Sequence, residues 1–135
     1  MYTLVDTNVL LDVITEDPQW ADWSAEALSR AGNESTLAIN PIIYAEVSVH
    51  IRTIEEMNDI ISEEHFRRLD LPYEAAFLAG KAFLAYRRRG GMKNLPLADF
   101  YIGAHAAVSK MRLLTRDARR YRTYFPTVPL IAPER

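Results

Sequence analysis

Hydrophobic and polar positions along this chain switch repeatedly between two periods. Thr3-Leu4-Val5 is an apolar run that stops at Asp6, after which Val9, Leu10, Val13 and Ile14 recur at three-four spacing. A short apolar run followed by helical periodicity predicts a buried strand feeding a helix. The alternation then returns down the chain. A second amphipathic helix is predicted from Trp20 to Ala31 and ended by Gly32-Asn33. Thr36-Leu37-Ala38-Ile39 reads as a strand, and Asn40-Pro41 opens a helix running toward Arg52. Thr53, with Glu56 three residues on, fits a capping box. Leu69-Asp70-Leu71 reads as extended, and Glu74 to Arg89 as a long helix closed by Gly90-Gly91. Leu97 to Lys110 is helical, Leu113-Leu114-Thr115 a strand, Ala118 to Tyr124 a short helix and Pro129-Leu130-Ile131 a last edge strand. Strands separated by helices predict an α/β fold, a central parallel sheet of about four or five strands flanked by helices on both faces. Ligands of such sheets gather at the carboxyl ends of the strands.

Composition narrows the function classes. The chain has 135 residues without repeats or linker-like runs, which is read as one domain over 1–135. With 49% hydrophobic and 25% charged residues it is globular in type, and with no cysteine it has neither disulfides nor thiol chemistry. The longest uncharged stretch, Ser35 to Ala45, is too short to span a membrane. The start lacks a basic region and meets Asp6 before any apolar segment, so a cytoplasmic address is expected. The net charge of -2 hides a division. Residues 1–75 carry four basic against fifteen acidic side chains, a balance of -11, and residues 76–135 carry twelve against three, a balance of +9. That asymmetry fits an anionic partner such as nucleic acid for the second half, and equally two regions that neutralise each other.

The carboxylates carry the chemistry. Asp6 and Asp117 each follow a short apolar strand, where Asp also serves as a helix N-cap. Glu46 and Asp99 lie inside helices among apolar neighbours, Ile42, Ile43 and Val49 for the first and Leu95 and Ile102 for the second. A carboxylate on such a face must be paired, hydrogen-bonded or metal-bound. Four converging acids would repel one another unless a cation offsets them, and an all-oxygen set suits Mg²⁺ or Mn²⁺. His50, four residues after Glu46, is read as a partly buried helix histidine rather than a metal ligand, and His105 as packing. Arg116, Arg119, Arg120 and Arg122, interleaved with Tyr121, Tyr124 and Phe125, form the basic cluster best placed for nucleic acid; Arg87-Arg88-Arg89 is read mainly as a solvated helix end.

Val5-Asp6-Thr7-Asn8-Val9-Leu10-Leu11-Asp12, Ile43-Tyr44-Ala45-Glu46-Val47, Leu97-Ala98-Asp99-Phe100-Tyr101-Ile102-Gly103-Ala104-His105-Ala106 and Leu113-Leu114-Thr115-Arg116-Asp117 resemble, in order and spacing, the motifs of PIN-domain ribonucleases. Within that superfamily the chain looks like a VapC-type toxin of a toxin-antitoxin pair. The resemblance runs from Tyr2 to about Pro133, and its specificity lies in the ordered set rather than in any one motif. It implies a PIN fold and metal-assisted hydrolysis of RNA, with Asp6, Glu46, Asp99 and Asp117 catalytic. Asp6, Asp99 and Asp117 would hold Mg²⁺, with Mn²⁺ as substitute, while Glu46 orients the attacking water. Asn8 and Thr115 would aim the carboxylates. The resemblance further implies a homodimer neutralised by a small VapB-like antitoxin. Competing readings are a housekeeping PIN nuclease, a catalytically degenerate RNA-binding PIN module, and a phosphatase of the haloacid-dehalogenase type. That last class needs a second Asp two residues after the first, where this chain has Asn8.

Overall fold

The computed structural model describes residues 1–90 and 95–134. Five parallel strands form one sheet: β1 (Tyr2–Val5), β2 (Thr36–Ile39), β3 (Arg67–Arg68), β4 (Arg112–Leu114) and β5 (Leu130–Ile131). Their order is β3-β2-β1-β4-β5. Leu4, Val5, Ala38, Ile39, Leu113 and Leu114 are buried to within 1% of full exclusion. That burial on both faces explains why the strands carry continuous rather than alternating apolar runs.

Among the described residues seven helices cover the sheet: α1 (Thr7–Ile14), α2 (Ala21–Glu34), α3 (Pro41–Ser48), α4 (Ile54–Ile60), α5 (Tyr73–Arg88), α6 (Asp99–Val108) and α7 (Ala118–Tyr124). Helix α3 starts where Asn40 Oδ1 accepts from the Ile43 N–H at 2.9 Å and Pro41 supplies a preset φ at the first position. Thr53 caps α4 by accepting from the Glu56 N–H. No helix among the described residues is long and apolar enough to cross a membrane.

The structure differs from the sequence reading in several elements, among them α6, which spans Asp99–Val108 rather than Leu97 to Lys110, so that Asp99 opens the helix instead of lying inside it. Helix α2 runs through Gly32 and Asn33 to Glu34, because one glycine costs only about 1 kcal/mol in a helix whose Ala31 is buried in the core. Helix α3 ends at Ser48, so His50 lies beyond it and is exposed. The third strand is Arg67–Arg68 rather than the Leu69–Leu71 segment, and two basic residues give no strand signal. Helix α5 ends at Arg88, after which Gly90 takes a positive φ of 74°; Gly91 lies outside the described residues.

Candidate active site

Strands β2 and β4 flank β1 on opposite sides, so the chain direction switches at β1 and opens a crevice at its carboxyl end. Asp6 is the first residue beyond β1, and its N–H bonds to the Leu114 carbonyl at 2.9 Å, which stitches it to the end of β4. Its side chain is held from both oxygens. Oδ1 accepts from the Thr7 N–H at 2.8 Å, and Oδ2 accepts from the Thr115 hydroxyl at 2.8 Å and from the Tyr121 hydroxyl at 3.0 Å. Burial raises the Asp6 carboxyl above its ordinary range, while these donors and the positive charge of Arg120 pull it back.

Glu46 projects from α3, half-buried, and accepts from the Thr7 hydroxyl at 2.5 Å. Asp99 opens α6, half-buried, and Asp117 stands at the start of α7, with 41% of its side chain exposed and ion-paired with Arg120 Nη2 at 3.1 Å. Their fields join the four acids into one group. The Glu46 carboxyl is raised first by burial and then by the charges of Asp99 and Asp6, and that of Asp99 by burial and then Asp117. The donor set is all oxygen and strongly negative, which by its chemistry fits a hard divalent cation. As the side chains stand, no three acidic or histidine groups among the described residues are drawn together into a metal cage. A guanidinium stands among them instead: Arg120, with 25% of its side chain exposed, has Nη1 at 4.0 Å from Asp99 and Nη2 on Asp117.

The residues expected to support the quartet divide their work. Thr115, fully buried, donates to Asp6 and accepts from the Asp117 N–H at 2.9 Å, so one hydroxyl sets both carboxylates. Asn8 turns elsewhere, accepting from the Arg116 N–H at 3.3 Å and pinning the loop after β4. Two groups that touch the quartet escaped the sequence reading. Thr7 holds Glu46, and Tyr121, read above only as an aromatic interleaving the basic cluster, places its buried hydroxyl on Asp6. The signal for Tyr121 was present, since positions three and four after Asp117 share its helix face, and they are Arg120 and Tyr121.

The four arginines expected to meet RNA have different surroundings. Arg116 grips Asp12 with Nε on Oδ2 at 2.7 Å and Nη2 on Oδ1 at 3.0 Å, and lies over the Trp20 ring at 5.3 Å. Asp12 is buried and also accepts from the Ser24 hydroxyl at 2.6 Å, so this pair ties α1, α2 and the loop before α7 together. Arg120 faces the quartet. Arg119 and Arg122 are exposed and, with Trp20, Arg116, Asp117 and Pro133, line an open cleft of about 480 Å³, of which Asp117 is the quartet member. Tyr121 and Phe125 are buried, and Tyr124 packs edge-on against Tyr86 and Phe100 at 6.0 and 5.6 Å. His105 is buried with Nδ1 accepting from the Asn40 side-chain amide at 3.0 Å.

Comparison with known proteins places this arrangement. The fold is similar to a chain in the structure of VapBC2 from Rickettsia felis bound to a promoter DNA fragment, with a TM-score of 0.76, 19% identity, and 99% and 100% of the two chains covered. It is also similar to VapBC-1 from nontypeable Haemophilus influenzae, at 0.73, 16% identity and 98% of each chain, and to a toxin-antitoxin complex from Klebsiella pneumoniae, at 0.71, 21% and 98% of each. No curated protein matches in sequence. The sequence pattern of the PIN domain matches residues 3–126, from the first buried strand through the end of α7. A chain matched over that span, with the sheet and acidic crevice described above, belongs to the PIN domain family.

Proposed function

We propose that this protein is a Mg²⁺- or Mn²⁺-dependent endoribonuclease, the toxin of a VapBC-type pair, working as a homodimer in the cytoplasm and held inactive by a small VapB-like antitoxin. What supports the nuclease reading is that Asp6, Glu46, Asp99 and Asp117 come from four separate segments and act on one another through their charges, Asp99 and Asp6 on Glu46 and Asp117 on Asp99. Membership of the PIN family and likeness to chains from VapBC and toxin-antitoxin structures support the rest.

Asp6, Asp99 and Asp117 would hold the ion, which when bound polarises a phosphoryl oxygen and acidifies the attacking water. The chain's own groups then do the positioning. Thr7 fixes Glu46 through its hydroxyl, so that the other carboxylate oxygen can face the water and take its proton. Thr115 and Tyr121 keep Asp6 from rotating, which matters because a misaimed ligand loses binding even when its charge is intact. The exposed Arg119 and Arg122 supply positive charge along the cleft leading from Asp117, where single-stranded RNA can lie with a base near Trp20. A phosphatase acid at the position two after Asp6 is ruled out by Asn8, whose side chain serves the backbone of Arg116.

Purified protein incubated with RNA tests this reading. Cleavage in Mg²⁺ or Mn²⁺, abolished by chelation and restored by adding either ion back, is the expected result. Cleavage indifferent to chelation, or none with either ion, would overturn it.

A further inference from the structure

Arg120 is in the wrong place for a surface RNA contact. It is on α7 one turn after Asp117, on the side that faces the crevice rather than solvent, and it is the basic side chain paired with the quartet among the described residues. Its positive charge reaches further than its two contacts, opposing the effect of burial on Asp6, Glu46 and Asp99 alike. We propose that Arg120 is the quartet's built-in counter-ion, occupying the position of the divalent metal and competing with it for Asp117 and Asp99. This rests on the metal-dependent reading given above.

The contrast with Arg116 shows why the guanidinium is a displaceable one. Arg116 has two short hydrogen bonds to a buried carboxylate and an indole face, a clamp that fixes the fold. Arg120 has ion pairs alone, at 3.1 Å to the part-exposed Asp117 and at 4.0 Å to Asp99, and a more distant ring contact, 6.0 Å over Tyr121. A guanidinium in that position neutralises repulsion among acids that the unfolded chain keeps apart. It delivers one unit of charge where a divalent ion delivers two and ligates directly, so the ion wins when present at sufficient concentration. Its affinity is then lowered by the cost of expelling Arg120. The metal-free enzyme is stable, and loading has a concentration threshold set by one side chain.

Manganese binding measured by calorimetry and by thermal midpoint tests this without any RNA, on the wild type, Arg120→Gln, Arg120→Lys and Arg119→Gln. Arg120→Gln should melt lower than the wild type in metal-free buffer and bind Mn²⁺ about tenfold more tightly, since a charge within a few ångströms of the site has gone. Arg120→Lys and Arg119→Gln should stay near the wild-type affinity. Unchanged or weaker Mn²⁺ binding by Arg120→Gln would overturn the competition while leaving the metal reading intact; no Mn²⁺ bound by the wild type would overturn both. Should Arg120→Gln fail to fold, the guanidinium Nε–H resonance of Arg120 in the wild type decides the matter, assigned by its absence in Arg120→Lys. It should shift on titration with Mg²⁺ while that of Arg116 stays put, and an Arg120 signal unmoved at saturating Mg²⁺ would refute displacement.

Discussion

Asp6 shows how much one side chain can be asked to do. It is 6% exposed, accepts three hydrogen bonds and shares a crevice with three other acids. In Asp6, Glu46 and Asp99 burial holds the carboxyl above its ordinary range. A carboxyl raised in the folded state takes up its proton before the unfolded chain does. Its stabilising contribution is therefore complete below the ordinary carboxylate range and is lost as pH rises through the raised values. His105 works in the opposite sense: burial lowers it, so acid favours the unfolded chain below the usual histidine range. Comparing the wild type with Asp6→Asn at each pH cancels the histidine. In metal-free buffer Asp6→Asn should be the more stable of the two near pH 7, and the difference should shrink as pH falls toward about 4. Thermal midpoints across that range would show it, and a difference independent of pH would contradict the burial account. The positions of the four acids were legible because each stands at a strand end or among apolar helix neighbours. The hydroxyls of Thr7 and Tyr121 were not, because a hydroxyl leaves no periodicity and its partner lies 39 and 115 residues away respectively.

Among the elements, α6 explains the small residues around Asp99. A Cβ at Gly103 would run into the Phe125 ring, which is itself buried just beyond α7, while Ala104 and Ala106 are fully excluded from solvent. The helix that carries Asp99 is thus pressed against the end of the one that carries Arg120, and the crevice depends on that close approach. Gly103→Ala gains helix propensity yet must displace a packed aromatic ring, and overpacking of this kind typically costs about 1–3 kcal/mol. Urea unfolding should show a loss in that range; equal or greater stability would mean that Phe125 is free to move aside. A stripe of small residues such as Gly103, Ala104 and Ala106 records that a neighbour comes close but not which one it is. The short elements were the least legible. The two-residue β3 is specified by pairing with β2, Ala38 to Arg67 and Ile39 to Arg68, and by nothing in its own composition. The start of helix α4, by contrast, was marked by Thr53 with Glu56 three residues on, because a capping pair acts locally.

For the molecule as a whole, the uneven charge acquires a geometry. The parallel sheet with its flanking helices followed from strand and helix alternation and is what the structure shows. The basic second half proves divided in use, with Arg116 bound to Asp12, Arg120 turned to the quartet, and Arg119 and Arg122 open on the cleft. RNA affinity should therefore depend on the last two. Arg119→Glu with Arg122→Glu should weaken binding of a short single-stranded RNA and flatten its salt dependence, by about 0.7 in logarithmic slope for each phosphate no longer neutralised. The rate at saturating RNA should change little, because these charges hold the ground and transition states alike. An unaltered affinity and slope would assign the cleft's charge to another partner.

Whether four carboxylates act as one metal-dependent RNA-cleaving unit is decided by RNA cleavage in Mg²⁺ by Asp6→Asn, Asp99→Asn and the double variant, each checked for folding by circular dichroism. Each substitution removes a negative charge with little change in shape. Groups that act together are grossly non-additive, so each single variant should lose essentially all cleavage and the double variant should lose no more. Folded single variants that cleave at the wild-type rate, or modest losses that multiply in the double variant, would contradict that joint action.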